Sequence, residues 1–154
     1  MPAHLHATLV VIDGAGILIR GASGGGKSSL AISLLRRAEA AGHHARLVAD
    51  DQVFVEARGE DVFGHAPPAI AGLIEIRGVG ILQQPFAGEA RVALVVDLSG
   101  REALERLPEP SFVPIAGLSV RRIHLPERDP AFGADVVLTV LAASLQREKG
   151  EPKV

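Results

Sequence analysis

Short apolar runs broken by glycines and acidic pairs set the pattern of this chain. Residues 5–12 (Leu-His-Ala-Thr-Leu-Val-Val-Ile) predict a strand, and Asp13-Gly14 is a turn signal. Residues 16–20 continue as a second apolar strand, so the two predict a hairpin. From Ser29 to Ala38 the spacing becomes helical, with Leu30, Leu34 and Leu35 on one face. It predicts a helix over about 28–41, stopped by Gly42. Arg46-Leu47-Val48-Ala49 is a short buried strand ending in Asp50-Asp51, and residues 53–57 and 61–64 form a small hairpin around Arg58-Gly59-Glu60. Residues 72–82 are apolar and punctuated by glycine, with charges at Glu75 and Arg77. Residues 92–97 are an apolar strand, 101–107 a short helix, 118–125 a strand and 135–147 a final amphipathic helix. The sum is an α/β fold whose mixed sheet is partly antiparallel, with flanking helices. Residues 1–147 read as one domain and 148–154 as a polar tail.

Between the second strand and the first helix lies Gly21-Ala22-Ser23-Gly24-Gly25-Gly26-Lys27-Ser28, followed by Ser29. This fits G-x-x-x-x-G-K-[ST], the phosphate-binding loop of nucleotide-binding proteins, in its strand–loop–helix setting. Glycines let successive N–H groups curl around phosphate oxygens, and the helix that follows adds the positive end of its dipole. Lys27 would neutralise the β- and γ-phosphates and the Ser28 hydroxyl would ligate Mg²⁺. Asp50 and Asp51 sit at a strand end, where α/β sites are built. One carboxylate can serve Mg²⁺ and the other can take the acceptor's proton. Asp97, after its own apolar strand, is a competing metal candidate of Walker B form. Glu75 and Arg77 share a face if their segment is extended; Glu75 could bind magnesium and Arg77 could stabilise transferring phosphate. His6 and His65 lie on apolar segments, while His43-His44 at a helix end read as solvated dipole partners.

Composition narrows the class. At 154 residues and 47% hydrophobic, the chain can build a full core. A net charge of −2 with no Trp, no Tyr and five Phe argues against a nucleic-acid surface. The absence of cysteine excludes disulfides and thiolate metal sites and suits a reducing compartment. The start of the chain carries neither a signal nor a transit pattern, and no apolar run reaches the roughly 20 residues of a membrane helix, so no membrane and a cytoplasmic setting are expected.

Four segments together resemble the catalytic domain of HPr kinase/phosphorylase: His6 ahead of the hairpin, Gly21–Ser28, Val48-Ala49-Asp50-Asp51, and Gly72-Leu73-Ile74-Glu75-Ile76-Arg77-Gly78-Val79-Gly80-Ile81. Gly64-His65-Ala66-Pro67-Pro68 is similar to a further family element, and order and spacing agree from His6 to Leu82, about half of the chain. The resemblance implies a phosphate-loop fold related to phosphoenolpyruvate carboxykinase. It implies ATP and Mg²⁺ as cofactors, a serine of an HPr-like phosphocarrier protein as acceptor, and a homo-oligomer, typically a hexamer. It also implies roles: Gly21 to Ser28 for nucleotide, Ser28 and Glu75 for Mg²⁺, Asp50 in support of metal or phosphate, Asp51 as base in phosphorylation and acid in phosphorolysis, and His6 and Lys27 in the active site.

The chain departs from the family pattern in places. It begins almost at the catalytic strand, like the short single-domain members. Ser29 stands where the family often has Glu. A family arginine between Asp97 and Ile115 has only Arg101 and Arg106 as candidates, and Leu125-Pro126-Glu127-Arg128-Asp129-Pro130 replaces the family's dephosphorylation segment. The kinase direction is thus better matched than the phosphorylase direction. Two other readings are a small-molecule or carboxykinase-like phosphate-loop enzyme, and a nucleotide sensor without catalysis. The first lacks the carboxylate-binding arginine and metal-binding His/Lys positions it needs. The second is opposed by the intact Lys27, Ser28, Asp50, Asp51 and Glu75.

Overall fold

The computed structural model describes residues 2–148. Its strands are β1 (Ala3–Leu5), β2 (Thr8–Ile12), β3 (Ala15–Arg20), β4 (Ala45–Ala49), β5 (Val53–Arg58), β6 (Asp61–His65), β7 (Leu73–Ile76), β8 (Gly80–Gln83), β9 (Ala90–Ser99), β10 (Ser111–Ile115) and β11 (Leu118–Pro126). The helices are α1 (Lys27–Ala40) and α2 (Pro130–Glu148).

β2 and β3 form the expected hairpin, with Ile12 opposite Ala15. Asp13 (φ 47°) and Gly14 (φ 83°) supply the two positive φ angles of a type I′ turn. The long strand β9 joins two layers. It runs parallel to β3 and β11 along most of its length, while its first residues pair antiparallel with β6. One layer is therefore β10-β11-β9-β3-β2-β4, and the other is β1-β5-β6, curling off the start of β9. The hairpin β7-β8 is a separate two-stranded sheet.

Alternation along the strands fills two cores. Val10, Ile12, Ile17, Ile19, Leu94 and Val96 face the helices, while Leu9, Leu18, Val48 and Val95 face the β1-β5-β6 layer. α1 buries Leu30, Ala31, Leu34, Leu35 and Ala38, a single face at helical spacing. Each such leucine contributes about 1.5–3 kcal/mol through burial. α1 stops in a Schellman motif: Gly42 (φ 89°) donates to the Glu39 carbonyl and His43 to the Ala38 carbonyl.

Several elements differ from the sequence expectation. The strand over 5–12 is two strands, because the chain bends at His6-Ala7; β1 joins β5 while β2 inserts between β3 and β4. The segment 72–82 folds back as β7-β8, which puts Arg77 in the turn rather than on a strand face beside Glu75. The helix over 101–107 is only a single 3₁₀ turn, Arg101–Ala103, because the backbone becomes extended at Leu104 (ψ 128°). α2 begins at Pro130, five residues before the expected start, with proline at the position whose N–H needs no partner. Glu148 belongs to this helix, and the rest of the polar tail lies outside the described residues.

Candidate functional site

β3 and β4 run in the same direction with β2 antiparallel between them. The C-terminal ends of β3 and β4 and the start of β2 thus meet at one edge of the sheet. That edge carries the glycine loop, Asp50-Asp51 and Thr8.

The loop, residues 21–26, connects β3 to α1. Gly24 (φ 77°) and Gly26 (φ 96°) adopt backbone conformations closed to most side chains. A Cβ on Gly25 would lie 2.9 Å from the Ala22 carbonyl oxygen, which already accepts the Gly25 N–H at 2.9 Å. α1 has no side-chain cap, so its first N–H groups lack intrahelical partners and suit an anion. Lys27 is buried, and its Nζ donates to the carbonyls of Gly21 (3.1 Å) and Ala22 (3.3 Å). An ammonium group thus sits within the loop itself.

The two aspartates have opposite environments. Asp50 is 6% exposed. Its Oδ1 accepts the hydroxyls of Ser28 (2.8 Å) and Thr8 (3.0 Å), and its Oδ2 accepts the backbone N–H of Glu75 (3.0 Å). One carboxylate thereby ties the start of α1, the start of β2 and the hairpin β7-β8 together. Asp51 is exposed, and its Oδ1 meets Nε2 of His6. Its backbone has φ 68°, and the Gln52 N–H donates to the Asp50 carbonyl across it at 2.8 Å. That is a γ-turn with a positive central φ, a strained arrangement of the kind found at functional sites.

A cleft of about 790 Å³ opens between these elements, a size suited to a nucleotide. His6, Ser23, Gly24, Gly26, Lys27, Ser28, Ser29, Asp50, Asp51, Glu75 and Arg77 all line it. The loop residues Gly21, Ala22 and Gly25 do not line it; Gly25 is buried, Gly21 half-buried and Ala22 exposed. Arg77 reaches over the loop: a Cβ on Gly24 would lie 3.8 Å from its Nη2. Glu75 is exposed beside it, with no ion pair among the described residues.

Other candidates lie elsewhere. Asp97 receives a two-pronged contact from Arg20 (Nε 2.8 Å, Nη2 2.9 Å) and a further one from Arg122 at 3.4 Å. The hydrogen bond to Asp97 holds the Arg20 guanidinium above its ordinary value. With its charge thus met, Asp97 cross-links β3, β9 and β11, and the Walker B reading is corrected to a structural ion pair. His65 stacks against Phe54 on the outer layer. His43 Nδ1 meets Asp13 at 2.6 Å and the His44 backbone N–H donates to the same carboxylate, so these residues fasten the β2-β3 turn. Arg101 pairs with Asp129 at 2.6 Å, and neither it nor Arg106 lines the cleft.

Two residues of the site escape a reading by motif. Arg128 lines the cleft with φ 56°, and its N–H approaches the Gly25 carbonyl at 3.4 Å. Thr8 is fully buried under both aspartates; its signal is a hydroxyl at the head of the apolar run Leu9–Ile12.

The residues present fit MgATP. Ser28 spends its one proton on Asp50, which leaves the oxygen's lone pairs for a cation. With the free Glu75 carboxylate it makes a hard oxygen donor set, of the kind Mg²⁺ shares with substrate phosphates. No cluster of three or more His, Asp or Glu side chains among the described residues forms a cage for a metal without such a substrate.

Comparison with known proteins agrees with the fold. A family model described as the HPr Serine kinase C-terminal domain matches residues 2–151. The chain is 34% identical over 151 residues to an HPr kinase/phosphorylase of Clostridium acetobutylicum, covering 91% of this chain and 47% of that protein. It is 52% identical over 79 residues to an HPr kinase/phosphorylase of Limosilactobacillus reuteri, covering 51% of this chain and 23% of that protein. The chain spans about half the length, or less, of these curated relatives. The solved structure of the Hpr(Ser) kinase/phosphatase from Coxiella burnetii matches with a TM-score of 0.77 at 28% identity, covering 91% of this chain and 97% of that one.

Proposed function

The chain belongs to the HPr serine kinase C-terminal domain family, and on that footing we propose that it transfers the γ-phosphoryl group of ATP to a serine of an HPr-like phosphocarrier protein. The observation that carries this reading is one cleft with a phosphate loop on one wall and an exposed, histidine-paired aspartate, Asp51, on the other. A loop that binds phosphate needs only its own backbone and Lys27. An alcohol acceptor also needs a base.

In this mechanism the loop N–H groups and Lys27 hold the donor phosphates. The serine oxygen attacks the γ-phosphorus as the bond to the β–γ bridging oxygen breaks, and Asp51 takes the serine proton. His6 holds the Asp51 carboxylate in place. Arg77, above the loop, stabilises the charge on the transferring group. Mg²⁺, held by Ser28 and Glu75 with Asp50 fixing Ser28, would neutralise charge between the phosphates. In the phosphorolytic direction inorganic phosphate attacks the phosphoserine phosphorus, the bond to the serine oxygen breaks, and Asp51 gives its proton to that oxygen, releasing serine and pyrophosphate. The same reading takes the working protein as a cytoplasmic homo-oligomer, a hexamer as the family resemblance implies; among the described residues no helix is long and apolar enough to cross a membrane.

The test is incubation with γ-labelled ATP, Mg²⁺ and HPr-like proteins, followed by mapping of the modified residue. Label on one serine supports the reading. Nucleotide binding without transfer to any such protein, or transfer only to a metabolite, overturns it.

A further inference from the structure

β2 is apolar from Leu9 to Ile12, yet it opens with a hydroxyl at Thr8, which is 0% exposed. A buried hydroxyl is costly unless its hydrogen-bonding capacity is used. Thr8 spends that capacity on residues more than 40 positions away. Its Oγ1 donates to Asp50 Oδ1 at 3.0 Å and accepts the backbone N–H of Asp51 at 3.2 Å. The neighbouring Ala7 N–H donates to the Asp51 carbonyl at 3.1 Å. The strained γ-turn that aims the Asp51 side chain is therefore gripped at its N–H by Thr8 and at its carbonyl by Ala7.

We propose that Thr8 is a positioning residue for phosphoryl transfer: its hydroxyl sets Asp50 and Asp51 relative to each other, and so sets the base against the metal-binding serine. The proposal rests on the reading of Asp51 as the base. Asp50 keeps two other donors, Ser28 and the Glu75 N–H, when Thr8 is lost. The Asp51 N–H has Thr8 as its partner. Loss of the hydroxyl should therefore act on the transfer step more than on nucleotide binding.

Valine matches threonine in shape and suits a strand, so T8V should fold, and its melting temperature checks this. Expected for T8V is a kcat for transfer lowered about 10- to 100-fold, the scale of a small misplacement of a reacting group. The KM for MgATP should stay within about threefold of the parent. T8S, which restores both hydrogen bonds, should recover kcat to within about threefold. The His6 imidazole ¹⁵N signals, which report the contact with Asp51, should shift in T8V and return in T8S. A T8V protein with parental kcat and His6 signals overturns the proposal, as does a well-folded T8S that stays as slow as T8V. If D51N keeps full transfer while T8V still loses it, the base assignment falls and the route through Asp51 falls with it, leaving Thr8 to act only through its bond to Asp50.

Discussion

Asp50→Asn removes one acceptor from the most crowded point of the site, and its effect can be worked from the contacts. Asp50 is 6% exposed and accepts three donors: the Thr8 and Ser28 hydroxyls on Oδ1 and the Glu75 N–H on Oδ2. An amide offers one oxygen and one NH₂. If the oxygen keeps the hydroxyls, the NH₂ faces the Glu75 N–H, donor against donor. If the amide flips, the hydroxyls must turn and their protons lose their acceptor. Either way at least one donor is stranded, which costs about 1–3 kcal/mol. For a chain of this length that lowers the melting temperature by about 2–12 °C. Asp50→Ala strands all three donors and should cost more. Circular dichroism melts give the stability, and calorimetric titration with MgATP gives the affinity. Affinity should weaken, because Ser28 either loses its acceptor or keeps a neutral amide oxygen in place of a carboxylate to orient its lone pairs. A D50N protein with parental melting temperature and MgATP affinity would refute the network. Because Thr8 and Asp50 share one hydrogen bond, T8V and D50N together should cost less than the sum of their separate effects.

Other predictions test the surroundings. Asp97→Asn leaves Arg20 and Arg122 half-buried without a charged partner and should destabilise by about 1–3 kcal/mol in urea titrations while the Mg²⁺ dependence of transfer is unchanged; a raised Mg²⁺ requirement would restore Asp97 as a metal residue. Gly42→Ala and Gly26→Ala both force alanine to a positive φ (89° and 96°) at about 1–2 kcal/mol, but only Gly26→Ala should also weaken MgATP, since Gly26 lines the cleft at the start of α1 and Gly42 follows its other end. The Asp13 carboxyl is held below the ordinary aspartate value, first by the His44 backbone N–H and then by the His43 side chain. A lowered folded-state pKa gives stability that is present above the unfolded value of about 3.9 and lost as pH falls towards the folded value, so Asp13→Asn should be less stable than the parent at neutral pH, with the difference in acid unfolding curves shrinking as pH falls through that range; an unchanged neutral-pH stability would refute the contact.

Much of the site was legible because its chemistry is local in sequence. Gly21–Ser28, Asp50-Asp51 and Glu75 each stand in a motif or at the end of an apolar run. The division of labour between the two aspartates was not legible from those runs alone. It depends on β2 lying antiparallel between β3 and β4, and on a register shift between Leu9 and Val10 opposite the end of β4. Asp97 has the sequence form of a metal ligand, but the partner that answers it, Arg20, is set opposite by the β3-β9 register. The break at His6-Ala7 was hidden because β1 and β2 share one strand-like run while pairing in different layers. β10 was hidden by Pro110 before it and Pro114 within it; as an edge strand paired only with β11, it tolerates a residue without an N–H.

In the proposed mechanism the exposed, His6-paired Asp51 accepts the serine proton in the cleft of the phosphate loop. The most direct measurement is the rate of labelled phosphoryl transfer by Asp51→Asn, read beside its MgATP affinity. Transfer should fall about 10²- to 10⁴-fold, the range for loss of a general base, with MgATP affinity close to the parent's. Transfer at the parental rate would contradict it.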